Sequence, residues 1–285
     1  MLTRRQVQDL IAARDLRPSR ALGQNFVADA NTVKRIARLA ELEPGQRVVE
    51  IGAGLGALTV ALAEAGAEVT AVEIDEHLLP ILRAQVERHA VRVVHDDALT
   101  LDWPSLLGER DDTPTPPARP PWVLVANLPY NVAVPVIVRV LDEAPTVTSL
   151  LVMVQREVGE RLAATPGTKA YGAVSVKVAY HATARVVGRV PASVFVPRPS
   201  IESVLVRMDR RDAVAVDPAV VSADRLFTVV RAGFAHRRKM LRRALVDVID
   251  PGAFAAAGVD AAARAEELSV EDWGRLVASD GRARR

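Results

Sequence analysis

No cysteine occurs among the 285 residues. Disulfides, thiol nucleophiles and cysteine-ligated metals are therefore excluded, and a reducing cytoplasm is the expected location. The five histidines, His77, His89, His95, His181 and His236, show no HxxxH or similar ligand spacing, so no metal is expected. No apolar run approaches the ~18 residues of a membrane span. The opening MLTRRQVQDL is charged where a signal peptide would carry an apolar region, so none is expected. Lysine is scarce, limited to Lys34, Lys169, Lys177 and Lys239, which marks a coding bias toward arginine. No internal repeat is visible.

What is present is ordinary for a soluble globular chain: 49% hydrophobic and 25% charged residues. The length suits one large or two modest domains. A net charge of +2 says little about partners, but its distribution says more. Residues 1–20 hold five arginines, Arg4, Arg5, Arg14, Arg17 and Arg20, against Asp9 and Asp15. Residues 225–243 hold Arg225, Arg231, Arg237, Arg238, Lys239, Arg242 and Arg243 with no acid among them. Two such clusters point to a polyanionic partner. For the first, coding bias explains the charge equally well.

Apolar patterning predicts a helix over 31–42, then strands at 47–51, 68–74, 91–94, 123–126 and 150–154, with later strands at 173–180 and 203–208. A helix follows the glycine turn after Ile51, and another is predicted over 76–89. Such alternation argues for βαβ units in a parallel sheet covered on both faces. DDTPTPPARPPW (111–122) reads as an extended surface loop. Beyond Arg211 strand signals fade, and 222–248, 251–257 and 269–278 read as helices. The expected domains are 1–211 and a small helical one, 212–285, whose GRARR tail frays.

After the first strand comes Glu50-Ile51-Gly52-Ala53-Gly54-Leu55-Gly56-Ala57. Its glycines permit a tight turn and let a ligand touch the backbone. Gly52, Gly54 and Ala57 also fit the G-x-G-x-x-G/A pattern of nicotinamide and flavin enzymes. Glu73, ending the next strand, would accept from ribose hydroxyls in either class. Two acids separate the classes. Glu50 would repel a pyrophosphate but tolerates a sulfonium cation. Asp97, in HDDAL after the third strand, can accept from an adenine amine, although a helix N-cap is its plain alternative. With Asn127-Leu128-Pro129-Tyr130 closing the fourth strand, the set lies along consecutive carboxyl ends and points to S-adenosylmethionine.

The stretch VLVANLPYNVAVPV ends a buried strand in an amide, a carbonyl ahead of proline, and an aromatic ring. A plain turn more often uses Gly, Asp or Asn without the ring. NLPY resembles the [DNS]-[PL]-P-[YF] motif of class I amino-methyltransferases, which holds an exocyclic amine. Acceptance by the Asn127 oxygen and Leu128 carbonyl would favour a pyramidal nitrogen with its lone pair aimed at a methyl group. Pro129 holds Leu128 extended, and Tyr130 would stack on a flipped base.

Leu22-Gly23-Gln24-Asn25-Phe26 is similar to the LGQNFL segment of the ribosomal RNA adenine dimethyltransferases. VMVQREVGERLAATPGTKAYGAVSVKV, VFVPRPSIESVLVRM, FAHRRKMLRRAL and RAEELSVEDW resemble that family's later segments, in order. The resemblance implies a class I Rossmann-like α/β fold, with a mostly parallel seven-stranded sheet and a small C-terminal all-α domain. It favours the small-subunit branch, a monomer converting two adjacent adenosines near the 3′ end of 16S rRNA to N6,N6-dimethyladenosine in a pre-30S particle. Carried over residue by residue, it assigns Asn25, Val27, Gly52, Gly54, Glu73, Asp97 and Asn127 to S-adenosylmethionine. Asn127, Leu128, Pro129, Tyr130 and Phe195 go to the target base, and Arg237, Arg238, Lys239, Arg242 and Arg243 to RNA. Val27 stands where the family usually has Leu, and Met240 and Arg243 where it has Thr and Asn. The rival readings are a DNA or large-subunit RNA methyltransferase, an assembly factor that mainly binds, and a nicotinamide oxidoreductase, against which NLPY argues.

Overall fold

The computed structural model describes residues 4–13, 23–108 and 120–281. Leu22, Arg14, Arg17, Arg20, most of the proline-rich loop and the last four residues lie outside them. The described strands are β1 (Phe26–Val27), β2 (Arg47–Ile51), β3 (Glu68–Glu73), β4 (Val91–His95), β5 (Trp122–Asn127), β6 (Val147–Gln155), β7 (Ala182–Val190), β8 (Phe195–Val196) and β9 (Ser203–Arg210). Seven of them form one sheet in the order β4-β3-β2-β5-β6-β9-β7, and β1 pairs antiparallel with β8. The pairs β2–β3, β3–β4, β2–β5 and β5–β6 are parallel, while β9 runs antiparallel to β6. Central strands read as near-continuous apolar runs because both faces are covered. Val48, Val49, Val125 and Val152 are fully buried.

From β2 the chain steps outward through β3 to β4. It then returns to the other side of β2 as β5 and continues to β6. The order therefore reverses between β2 and β5, and open sheets of this kind bind ligands outside the carboxyl ends at such a point. The glycine turn leaves β2 there, and NLPY leaves β5.

Two compact units divide the chain. One runs to Gly159 and takes in Val186–Asp209; the other holds Glu160–Arg185 and everything from Arg210. The expected division at 211 differs, since Glu160–Arg185 clusters with the helical part. Its centre, predicted as a strand over 173–180, is the helix Ala173–His181. Ser175 caps the start, accepting from the Gly172 N–H at 3.0 Å and donating to the Arg161 carbonyl. Val176 and Tyr180 then enter an apolar core with Phe227, Val230 and Trp273. Packing of this kind overrides the β preference of a valine-rich segment. β7, missed in the sequence, is an edge strand in which Arg185, Gly188 and Arg189 break up the apolar pattern.

In the second unit, helices start where Ser222, Asp250 and Ser269 accept from Arg225, Gly252 and Asp272 N–H groups. The helix predicted over 222–248 is interrupted after Ala235. Residues 236–240 form a turn, and the Leu241 and Arg242 N–H groups donate to the Ala263 and Ala261 carbonyls at 2.8 and 3.1 Å.

Candidate active site

Gly52 and Gly54 sit at φ 70° and 58°, a left-handed region that other residues rarely adopt. A Cβ on Gly52 would lie 3.6 Å from Pro129 Cδ, and one on Gly54 only 3.2 Å from the Phe26 ring. The turn is thus flanked by NLPY and by Phe26 of β1, and side chains are kept out of it. Glu73 is buried, and one carboxylate oxygen accepts the Gly54 N–H at 2.7 Å while the other accepts the Asp75 N–H at 2.9 Å. Burial raises its pKa, and these N–H groups oppose the rise. Glu50 is 2% exposed, and its Oε2 has no hydrogen-bond partner. Burial pushes its pKa up to about 8; the Thr59 hydroxyl opposes that and the Glu73 charge adds to it.

Asn127 ends β5, and its Nδ2 donates to the Asn25 carbonyl at 3.1 Å, which leaves Oδ1 as the accepting end. Leu128 is buried, its N–H held by the Met153 carbonyl at 3.2 Å. Tyr130 is half-buried, and its hydroxyl lies 2.8 Å from the Oγ of fully buried Ser203. Desolvation raises the phenol pKa. The segment opposite is tied down twice: Gln24 Nε2 donates to Asp75 at 2.7 Å, and Phe26 and Val27 pair with Val196 and Phe195.

Asn25, Val27, Glu50, Gly52, Gly54, Glu73 and the whole of NLPY line one cleft of about 760 Å³, its open mouth included. That size suits a small-molecule ligand. Asp97 lines a neighbouring hollow that shares Gly52, Ile74 and Pro129 with the cleft. Its Oδ1 accepts the Leu99 N–H at 2.8 Å in a turn over 98–100, and the next helix is capped by Asp102 instead, so the helix N-cap alternative is not what Asp97 does.

Phe195 is not brought to the cleft surface. Its ring is fully buried in the core with Val190 and Leu205. In the second unit, Arg237 is half-buried, pairs with Glu266 and donates to the Lys169 carbonyl at 2.7 Å. Arg238, Lys239, Arg242 and Arg243 are exposed. Sequence reasoning missed Ile74, a 43% exposed apolar side chain lining both hollows, and Ser203 behind Tyr130. An isoleucine directly after the strand-end acid could have flagged the first. Ser203 carries no local signal, being 73 residues from its partner.

No helix among the described residues is long and apolar enough to cross a membrane, and no metal-holding cluster of His, Asp or Glu is found among them. A family model described as ribosomal RNA adenine dimethylase matches residues 17–279. A ribosomal RNA small subunit methyltransferase A from Leifsonia xyli subsp. xyli is 45% identical over 284 residues, covering 96% of each chain. The protein of the same name from Thermobifida fusca is 45% identical over 97% of this chain and 95% of its own. Among solved structures, the 23S rRNA methyltransferase ErmE superposes with a TM-score of 0.66 at 28% identity, over 90% of this chain and 99% of its own. A dimethyladenosine transferase from Plasmodium falciparum has the same fold, with a TM-score of 0.70 at 21% identity over 87% of this chain and 94% of its own. The chain belongs to the ribosomal RNA adenine dimethylase family.

Proposed function

We propose that this protein transfers methyl groups from S-adenosylmethionine to N6 of two adjacent adenosines near the 3′ end of 16S rRNA, giving N6,N6-dimethyladenosine during small-subunit assembly in the cytoplasm. The observation that carries the reading is Asn127: its amide nitrogen is held by Asn25, so its oxygen is left to accept from an amine beside the glycine turn. The small-subunit choice rests on relatives of that name at 45% identity, against 28% for the 23S enzyme.

The cleft residues fit the cofactor. Glu50 presents an unpartnered buried oxygen next to a glycine cradle, and a buried acid of that kind is stabilised by a cationic ligand and disfavours a pyrophosphate. Glu73 would accept from ribose hydroxyls, with Asn25, Val27, Gly52 and Gly54 around it and Asp97 at the adenine. When bound, the sulfonium supplies an electrophilic methyl group. The chain's own part is positioning. Asn127 Oδ1 and the Leu128 carbonyl accept from the two N6 hydrogens and orient the nitrogen lone pair, with no strong base required. Tyr130, its hydroxyl anchored on Ser203, offers its ring to the flipped base. Residues 212–285, with Arg238, Lys239, Arg242 and Arg243 exposed, form the RNA-holding part of a monomer.

Asn127→Ala should cut single-turnover transfer far more than particle affinity, because the amide oxygen matters most as the nitrogen pyramidalises. Equal losses in both would remove it from the reaction. Tyr130→Ala should lose stacking worth about 1–3 kcal/mol, while Tyr130→Phe keeps the ring and loses only the bond to Ser203. A Phe variant as inactive as the Ala variant would shift the role to the hydroxyl.

A further inference from the structure

Beyond the mouth of the cleft lies a broad surface hollow of about 1020 Å³, open solvent included, lined by Gln24, Asn25, Tyr130, Asn131, Pro197 and Arg198. Asn25 and Tyr130 belong to the cleft as well. Arg198 is exposed, and among the described residues that line this hollow it carries the one charged side chain. No carboxylate lines it among the described residues. Asp75, the acid bonded to the Gln24 amide, also accepts from the His77 N–H. Pro197 and Pro199 restrict the backbone on either side of Arg198, and the chain just before them is fixed by the pairing of Phe195 and Val196 with β1. The backbone that carries the Arg198 guanidinium is therefore stiff, and it borders the hollow shared with the ring that would receive the base.

An RNA strand delivering a base onto Tyr130 must lead its sugar–phosphate backbone across that rim. Each phosphate is an anion whose oxygens match the guanidinium fork. We infer that Arg198 grips a backbone phosphate next to the target adenosine and so positions the base over NLPY. The inference rests on the methyl-transfer reading above and deepens it.

The test uses the full chain and undermethylated 30S particles. Arg198→Ala should raise KM for particles about tenfold, the equivalent of about 1.4 kcal/mol, and leave kcat within about twofold. Its log–log salt dependence of binding should flatten by about 0.7–0.9, the slope of one phosphate contact. Arg198→Lys should restore most of that slope. Cofactor affinity by calorimetry should not change. Arg83→Ala, an exposed arginine on the helix Leu79–Val86, serves as a control and should move neither quantity. Unchanged KM and slope in Arg198→Ala would overturn the assignment. So would an equal effect of Arg83→Ala, which would mean a general field, or a parallel fall in cofactor affinity, which would mean a structural role. Wild-type protein that transfers no methyl to these particles would sink the methyl-transfer reading first, and the role of Arg198 with it.

Discussion

Glu50 and Glu73 are two buried acids lining one cleft, yet their surroundings differ. Glu73 spends both oxygens on backbone N–H groups, whereas Glu50 keeps one oxygen without a partner. With its pKa raised to about 8, Glu50 is neutral at pH 6–7 in the free protein. A cationic ligand favours the ionised form, so binding should release a proton. S-adenosylmethionine affinity should then rise from pH 6 to about 8 and level off above, and Glu50→Gln should flatten that profile. Calorimetry in buffers of different ionisation enthalpy measures both. The stability consequence has the opposite sign. An acid whose folded pKa lies above its unfolded value near 4.5 retains a proton that the unfolded chain has lost. Its contribution to stability therefore falls as pH rises from about 4.5 to 8, and Glu50→Gln should raise the melting temperature most at pH 8. An unchanged melting temperature there would mean the carboxylate is better solvated than its burial implies.

At the scale of elements, what could be read from the sequence depended on how local the determinants are. The βα alternation, the glycine turn and NLPY follow from residues within a few positions of one another, and β2, β3, β4 and β5 stand where the pattern put them. The helix Ala173–His181 was misread as a strand because its apolar positions alternate, and what decides its form is a cap on Arg161 and a core built from residues after 211. The 236–240 turn was hidden for the same reason, its neighbours' N–H groups being taken by carbonyls at 261 and 263. That turn changes what the arginines should do. Arg237→Ala should destabilise the second unit modestly, by about 1 kcal/mol, because the charged pair it removes is partly exposed and solvent-screened. Replacing Arg238, Arg242 and Arg243 with Ala should flatten the salt dependence of particle binding by about 0.7–0.9 per lost phosphate contact. Equal slopes in mutant and wild type would return those three to coding bias. Helix packing gives a further check. A Cβ on Gly233 would meet the buried Trp273 ring at 2.5 Å, so Gly233→Ala should cost about 1–3 kcal/mol in denaturant unfolding, as overpacking does.

For the molecule as a whole, the sheet order places the reversal between β2 and β5, and there the glycine turn and NLPY meet, with Gly52 facing Pro129. The part of the cleft lined by Gly52, Gly54, Glu73 and NLPY was therefore legible from strand ends. The substrate side was less so. Phe195 followed a family pattern but lies in the core, and Arg198 became visible only once β1 and β8 brought the N-terminal segment beside it. The reading proposed for this cleft is methylation of adenosine N6 in small-subunit rRNA. Labelled methyl transfer from S-adenosylmethionine, followed by nucleoside analysis, tests it most directly with undermethylated 30S particles, 50S particles and duplex DNA side by side. Two methyl groups are expected on each of two adjacent adenosines in the 30S RNA and none in the other substrates. Comparable labelling of 50S particles, or methyl transfer to no RNA at all, would contradict it.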